Sequence, residues 1–321
     1  MLRYGLFRLL SGLVTLLLVA AIVFVIVRII PGDAAIILSG GDSVAGSAED
    51  LELVRERLGL NLPIPVQFFI WLGDVAAYDL GTSLRTGNPV LQDIAQRFPF
   101  TLQIVLMAMV IAVVLGVPAG VMAARYVGSW GDRLLQTICV LALAAPSFWV
   151  GILIILALVT VFNWSAPLFW EPFWSDPAAS IAQTIWPALA VGLRQVSLIA
   201  RMTRSIMLDV LNEDYIRTAR SKGLSEANVI FRHGLRNGLL PLVTLIGFEF
   251  AALFGALIVT ETVFNVPGLG QYVVTSIANR DYPALQAIVL ILASIVVVGN
   301  ILVDFTYGWL DPRVRLAGRS K

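Results

Sequence analysis

The feature that most restricts this chain is a series of apolar stretches long enough to cross a bilayer. A hydrocarbon core about 30 Å thick takes roughly 20 apolar residues of helix. Residues 9–30, 99–124, 134–162, 239–263 and 284–309 reach that length, and a weaker stretch, 181–201, is interrupted by Arg194 and Gln195. A backbone surrounded by lipid must satisfy its own hydrogen bonds, so such segments fold as helices. Composition agrees: 58% of the 321 residues are hydrophobic and 13% are charged, against about 25% charged in a soluble domain. The expected fold is an all-α integral membrane protein, a single domain over residues 1–321 with six transmembrane helices.

Charge sets the expected orientation. Lys and Arg concentrate in short cytoplasmic loops. With six spans and both termini inside, the inner segments collect Arg3, Arg8, Arg125, Arg133, Arg201, Arg204, Arg217, Arg220, Lys222, Arg232, Arg236, Arg313, Arg315, Arg319 and Lys321, most of the 22 basic residues. Five spans would put the basic tail outside. The first apolar run is too long for a secretion signal and lacks a small-residue cleavage site, so it is expected to remain as a permanent span ending at Pro31-Gly32-Asp33. This arrangement leaves a long extracytoplasmic segment, 31–98, between helices one and two, and a helical cytoplasmic loop, 206–237, between helices four and five. Within the outer segment, 40–50 is rich in Gly, Ser and Asp and is expected to be mobile, and 51–58 reads as a short helix. Residues 66–78 carry Phe68, Phe69, Trp71, Leu72 and Tyr78, which suits either the membrane interface or packing on the bundle. Trp164, Phe169, Trp170, Phe173 and Trp174 in a second outer loop read as an aromatic interface belt.

Scarcity excludes several chemistries. The two lysines, Lys222 and Lys321, neither follow a glycine nor precede Ser or Thr, so there is no phosphate loop of the Gly-Lys-Ser/Thr type. One histidine, His233, and one cysteine, Cys139, build no standard zinc site and no internal disulfide. A net charge of +1 gives no reason to expect nucleic acid. An intramembrane enzyme is equally unsupported, because His233 lies in a cytoplasmic loop. His233 is read as a contact to a helix C-terminus.

The stretch 212–236 is the most informative. Asn212 suits an N-cap, with Glu213 and Asp214 in the first turn where acids favour the positive helix end. Arg220 and Lys222 fall in the last turn, and Gly223 stands where a left-handed glycine ends a helix. Ser225 suits the cap of a second helix that ends near Arg232, His233 and Arg236. Helices this short are marginal alone in water. Tyr215, Ile216 and Ala219 on the first, and Ala227, Ile230 and Phe231 on the second, form stripes that need partners. Either they pack on the chain's own span ends or they enter a groove on a soluble protein.

The loop resembles the EAA loop of ATP-binding-cassette (ABC) importer permeases, with Ala219 and Gly223 in the positions of the motif's second alanine and its glycine. Arg217 replaces the glutamate, Thr218 replaces the first alanine, and the spacing to Leu240-Pro241 is longer. That variant is similar to the dipeptide, oligopeptide and nickel permeases. So are Pro31-Gly32-Asp33, Leu58-Gly59-Leu60-Asn61, Asp79-Leu80-Gly81-Thr82-Ser83, Thr260-Glu261-Thr262-Val263-Phe264, Pro267-Gly268-Leu269-Gly270, Arg280-Asp281-Tyr282-Pro283, and the tail with Asp304, Tyr307 and Asp311-Pro312-Arg313. The resemblance implies a non-catalytic subunit of a bacterial inner-membrane importer. Its partners would be a second homologous permease, two ABC ATPase subunits that bind the ATP and magnesium, an extracytoplasmic solute-binding protein and the lipid bilayer. It makes Tyr215, Ile216, Arg217, Thr218, Ala219, Arg220, Lys222, Gly223 and Leu224 the coupling residues, and the second helix a brace to span five.

Ionisable residues at membrane depth are functional candidates by default. Arg194 and Glu249 are candidates for the translocation pathway; contact between spans is the alternative role. Asp304 is expected to pair with a cytoplasmic-side arginine. Pro118 and Pro146 are expected to kink their spans, and Gly116 and Gly120 to permit close helix contact. The competing function is a secondary transporter driven by an ion gradient. Such proteins are often built from inverted repeats, and no repeat is visible here.

Overall fold

The computed structural model describes residues 2–29, 61–164, 167 and 169–310. The described chain runs α1 (Leu2–Ile29), α2 (Ile64–Ala76), α3 (Val90–Arg125), α4 (Trp130–Ala144), α5 (Ser147–Phe162) and α6 (Pro177–Leu211). It continues as α7 (Asp214–Ser221), a π-helical segment (Asn228–Leu235), α8 (Arg236–Phe264), α9 (Leu269–Ala278) and α10 (Tyr282–Leu310). The only β pairing among the described residues is one isolated antiparallel bridge, Thr82 to Pro89. The expected mobile stretch 40–50, the expected helix 51–58, Pro31-Gly32-Asp33 and Asp311-Pro312-Arg313 lie outside the described residues.

Four described helical stretches are long and apolar enough to cross a membrane: Gly5–Arg28, Val90–Arg125, Asn228–Phe264 and Tyr282–Phe305. The expected span 134–162 is not one straight helix. It breaks into α4 and α5, which meet at 100°. The cause is local: a proline drives the residue before it out of the helical region, and Ala145 is extended at φ −77°, ψ 127° ahead of Pro146. Pro146 therefore does more than kink the span. By contrast, α3 runs unbroken through Pro99 and Pro118. Counting the bent pair once gives five crossing elements. Helix α6 covers the expected 181–201 and, at 35 residues, is roughly 50 Å long, but it falls short in apolar character.

The core sits between α3 and α6. Ile104, Val105, Ala108 and Ala112 of α3 are buried against Ala188, Ala190, Val191 and Ile199 of α6, and Leu253, Phe254, Leu257 and Phe264 of α8 close the cluster. Lipid does not drive apolar helices together as water does, so tight contact between small residues has to hold them. A Cβ on Gly116 would lie 2.9 Å from the Val196 carbonyl oxygen, and one on Gly120 would overlap the carbonyl of Ala200 and reach Thr203 Cβ at 2.6 Å. These glycines make the close approach expected of them. Helix α10 bridges α8 and α1: Gly299 faces Ala251, and Gly12 faces Val297 and Ile301. At the far end of that seam Arg8 pairs with Asp304 at 3.0 Å, the arginine partner expected for this aspartate. Helix α1 presents most of its other side chains outward, among them Leu6, Leu18 and Ile22.

Gly120→Ala is expected to destabilise the protein by about 1–3 kcal/mol through overpacking, whereas Gly73→Ala, with nothing within 4 Å of the new methyl, does not. Thermal unfolding of the two variants in detergent, compared with the parent, checks this.

Candidate coupling site and its polar supports

The segment 212–236 folds as a bent pair, with its hinge at Gly223. That residue has φ +75°, a conformation costly for residues with a Cβ, as the sequence predicts. The start differs from expectation. Asn212 ends α6, donating its side-chain amide to the Leu208 carbonyl at 2.9 Å, and Glu213 stands before α7 without a side-chain cap. The second arm is no separate helix. It begins at Glu226, takes a wide π-helical course over Asn228–Leu235 and continues without interruption into α8. Ser225 contributes its carbonyl, which accepts from the Val229 amide at 3.0 Å.

The apolar stripes divide. Ile216 and Ala219 are buried against Val229 and Leu211 of the same chain, and Ile230 is buried with Val121, Ala124 and Met207. Those side chains are therefore the seat of the pair rather than its free face. Tyr215, Leu224 and Phe231 stay outside, at 40%, 39% and 54% exposure. Arg220 spans the hinge, its guanidinium donating to both carboxylate oxygens of Glu226 at 2.8 and 3.3 Å. That contact holds the Glu226 carboxyl below its usual range. Arg217 meets Asp214 at 3.4 Å on the surface, and Thr218 donates to the Asp214 carbonyl. Lys222 caps the end of α7. The structure thus gathers Tyr215, Arg217, Thr218, Arg220, Lys222 and Leu224 on one exposed knob, with Ile216 and Ala219 beneath it.

Beside the knob, Asp132 of α4 receives a bidentate contact from Arg204 of α6 at 2.7 and 2.8 Å and the Gly128 amide at 2.9 Å. Sequence reading missed this pair because the two residues are 72 positions apart and neither lies in a motif.

The opposite end of α8 carries a second polar knot. Glu261 is fully buried. Thr101 Oγ1 of α3 donates to its Oε1 at 2.6 Å, and the Gly270 and Gln271 amides at the start of α9 donate to its Oε2 at 2.7 and 3.2 Å. The Leu269 amide in turn donates to Thr101 Oγ1 at 2.8 Å. Free amides at a helix N-terminus favour an acceptor with negative character, and here the chain's own carboxyl group takes that place. A Cβ on Gly268 would collide with the Glu261 carboxylate, and one on Gly270 would lie 2.6 Å from Ile258 Cα. The strings around Glu261 and around Gly268 are two halves of one contact.

Two further strings close on each other in the same way. Asp281 accepts from Ser83 Oγ, from the Leu84 amide at 3.2 Å and from the Ala284 amide at 3.4 Å. Asp93 accepts from Thr86 Oγ1 at 2.9 Å and from the Tyr272 hydroxyl at 3.0 Å.

Arg194 and Glu249 are not brought together. Arg194 is exposed on the isolated chain. Glu249 accepts a 2.9 Å hydrogen bond from Gln195 Nε2, joining α8 to α6, and the other Gln195 side-chain atom, Oε1, is buried without a partner.

Comparison with known proteins identifies relatives of this chain along nearly its whole length. Residues 116–316 match the family described as "Binding-protein-dependent transport system inner membrane component". Residues 1–105 match "Binding-prot-dependent transport system membrane comp, N-term". The chain belongs to this family of ABC importer permeases. It is 42% identical over 315 residues to the Glutathione transport system permease protein GsiC of Salmonella typhimurium, covering 98% of this chain and 99% of the relative. The Escherichia coli protein of the same name is 41% identical over the same span. A putative peptide transport system permease protein of Brucella abortus is 39% identical over 308 residues, 96% of this chain and 97% of the relative. Membership makes the chain a multi-pass inner-membrane permease component that works with ATPase and binding-protein partners.

Glu261→Ala is expected to orphan the Gly270 and Gln271 amides at roughly 1–3 kcal/mol each, while Glu261→Gln costs less because an amide oxygen still accepts; thermal unfolding and limited proteolysis of the loop before α9 read this. The Arg220–Glu226 contact stabilises the hinge above the ordinary carboxylate pKa and is lost as pH falls through the depressed one. Both side chains are over two-fifths exposed, so the effect is below about 1 kcal/mol. Hydrogen-exchange protection of α7 should weaken in acid in the parent and show no such step in Glu226→Gln.

Proposed function

We propose that the chain forms half of the translocation pore of an ATP-driven importer, beside a second homologous permease. Two ABC ATPase subunits bind the ATP and Mg2+, so no cofactor belongs to this chain, and an extracytoplasmic binding protein delivers the solute. The names of the relatives point to di- or oligopeptides or glutathione as the substrate class. The observation that carries the reading is the knob at 212–236: a face of Tyr215 and Leu224 left uncovered, seated on its own chain through Ile216 and Ala219, at the end of a helix that runs on into α8. A soluble ATPase that grips such a knob moves a membrane helix directly. In this reading α6 is also a span, the fourth of six in chain order, both termini are cytoplasmic, residues 31–98 lie outside, and the chain hydrolyses nothing itself. Arg194 and Glu249 belong to the pathway, with Gln195 setting the orientation of Glu249.

The alternative, transport driven by an ion gradient, lacks a coupling structure of this kind; uptake by the intact system that survives loss of ATP but not of the proton gradient would establish it.

Tyr215→Ala combined with Leu224→Asp is expected to abolish ATP-dependent uptake and co-purification of the ATPase while the protein still inserts and unfolds at the parent temperature. Gly223→Pro, which cannot adopt φ +75°, and Ala219→Asp, which buries a charge under the knob, should lose uptake too. Normal uptake in any of these variants would refute the coupling role.

A further inference from the structure

Helix α2 has an apolar surface on both sides. Its inner side packs on the last turns of α1. Phe68 meets Phe24 edge-on with ring centroids 5.3 Å apart, and Trp71 lies 5.5 Å from the same ring. Arg28 donates from Nε to Gln67 Oε1 at 3.0 Å and covers the Phe24 ring with its guanidinium at 3.4 Å. The outer side carries Val66, Phe69 and Ile70, spaced as i, i+3 and i+4 and therefore on one face. They are 43%, 69% and 51% exposed. Asp74 is the single charged residue in the helix.

A helix with apolar side chains on two sides, and a polar stripe limited to Gln67 and Asp74, belongs against protein or in a membrane. No residue of α2 is buried, so this is not a core helix. With 13 residues, or roughly 20 Å, it is also too short to cross the hydrocarbon. Helix α1, on which it packs, is likewise apolar and outward-facing: Leu18, Ile22 and Ile26 are 59%, 56% and 52% exposed. Arg28 closes that surface where α1 ends, its charge resting on a ring face and an amide rather than an acid. Long basic side chains take up such positions at the edge of the hydrocarbon, where stem and head meet different media.

We infer that α2 lies flat in the outer interface of the bilayer, with Val66, Phe69 and Ile70 dissolved among lipid acyl chains. The helix thereby anchors the described stretch 61–89, which leads into α3, to the membrane surface. The inference rests on the reading of α1 as a membrane span; its partner is lipid, and it holds whatever solute the importer carries.

The test uses the full-length chain with Cys139→Ser, reconstituted in phosphatidylcholine vesicles and carrying one new cysteine labelled with an environment-sensitive fluorophore. Phe69→Cys and Ile70→Cys are the test positions. Ile22→Cys on α1 is the lipid control, and Lys222→Cys on the knob is the aqueous one. Labels at 69 and 70 are expected to lose emission to lipid spin-labelled near the glycerol end of the acyl chain, and to resist iodide in the buffer. Quenching by iodide alone would overturn the inference and make the stripe a water-facing surface for a soluble partner. Resistance to both quenchers would overturn it in favour of cover by other parts of the chain. A label at Ile22 that is insensitive to lipid quencher would refute the membrane reading of α1 itself, a separate result from either of these.

Discussion

The close approach of α3 and α6 is the contact from which the rest of the architecture is hung. It is made by glycines that let backbone meet backbone directly, at Gly116 against the Val196 carbonyl and Gly120 against the Ala200 carbonyl. In a bilayer this geometry substitutes for the hydrophobic force that assembles soluble helices. One end of the pair supplies Val121, Ala124 and Met207, the platform under Ile230. The other end supplies Thr101, which reaches Glu261. Helix α8 is thus held at both ends by groups that belong to, or rest on, one rigid pair.

That arrangement joins a short loop to a long helix. The knob is stiff within itself, through Ile216 and Ala219 below, Arg220 to Glu226 across the hinge, and the glycine conformation at the bend. It is also joined covalently and helically to α8, with the π-helical course as the one departure from regular pitch. Such departures often mark functional positions in helices. A continuous helical path therefore links the second arm of the knob to the Glu261 knot. Polar knots serve both ends for the same reason: a buried carboxylate with two or three good donors fixes an orientation that apolar contacts leave free.

The motifs by which the chain resembles peptide permeases are not evenly functional. Those around Glu261 and Gly268 complete one buried hydrogen-bond set, and those around Ser83 and Asp281 complete another. They preserve the architecture of the end away from the knob. Residues at the knob divide in a parallel way, because Ile216 and Ala219 serve the fold while Tyr215 and Leu224 face outward.

Much was legible in the residues alone. Apolar runs of about 20 residues specify helices because lipid offers the backbone no other partner, and the helix-end chemistry around Gly223 located the bend because few residues besides glycine take that conformation readily. Pro146 marked an irregularity in the span 134–162. The size of the break, the burial of Ile216 and Ala219, and the fusion of the second arm with α8 required the tertiary structure. A stripe on a helix says that a partner is needed and not which one. The same holds for Glu261: its partners come from α3 and from α9, one of them 160 positions away, and only the packed bundle brings them to one carboxylate. Sequence by itself determined the helices, their medium and the place of the bend, all consequences of local chemistry. Tertiary structure decided which polar groups pair and which apolar faces remain open, because those depend on what lies across the gap.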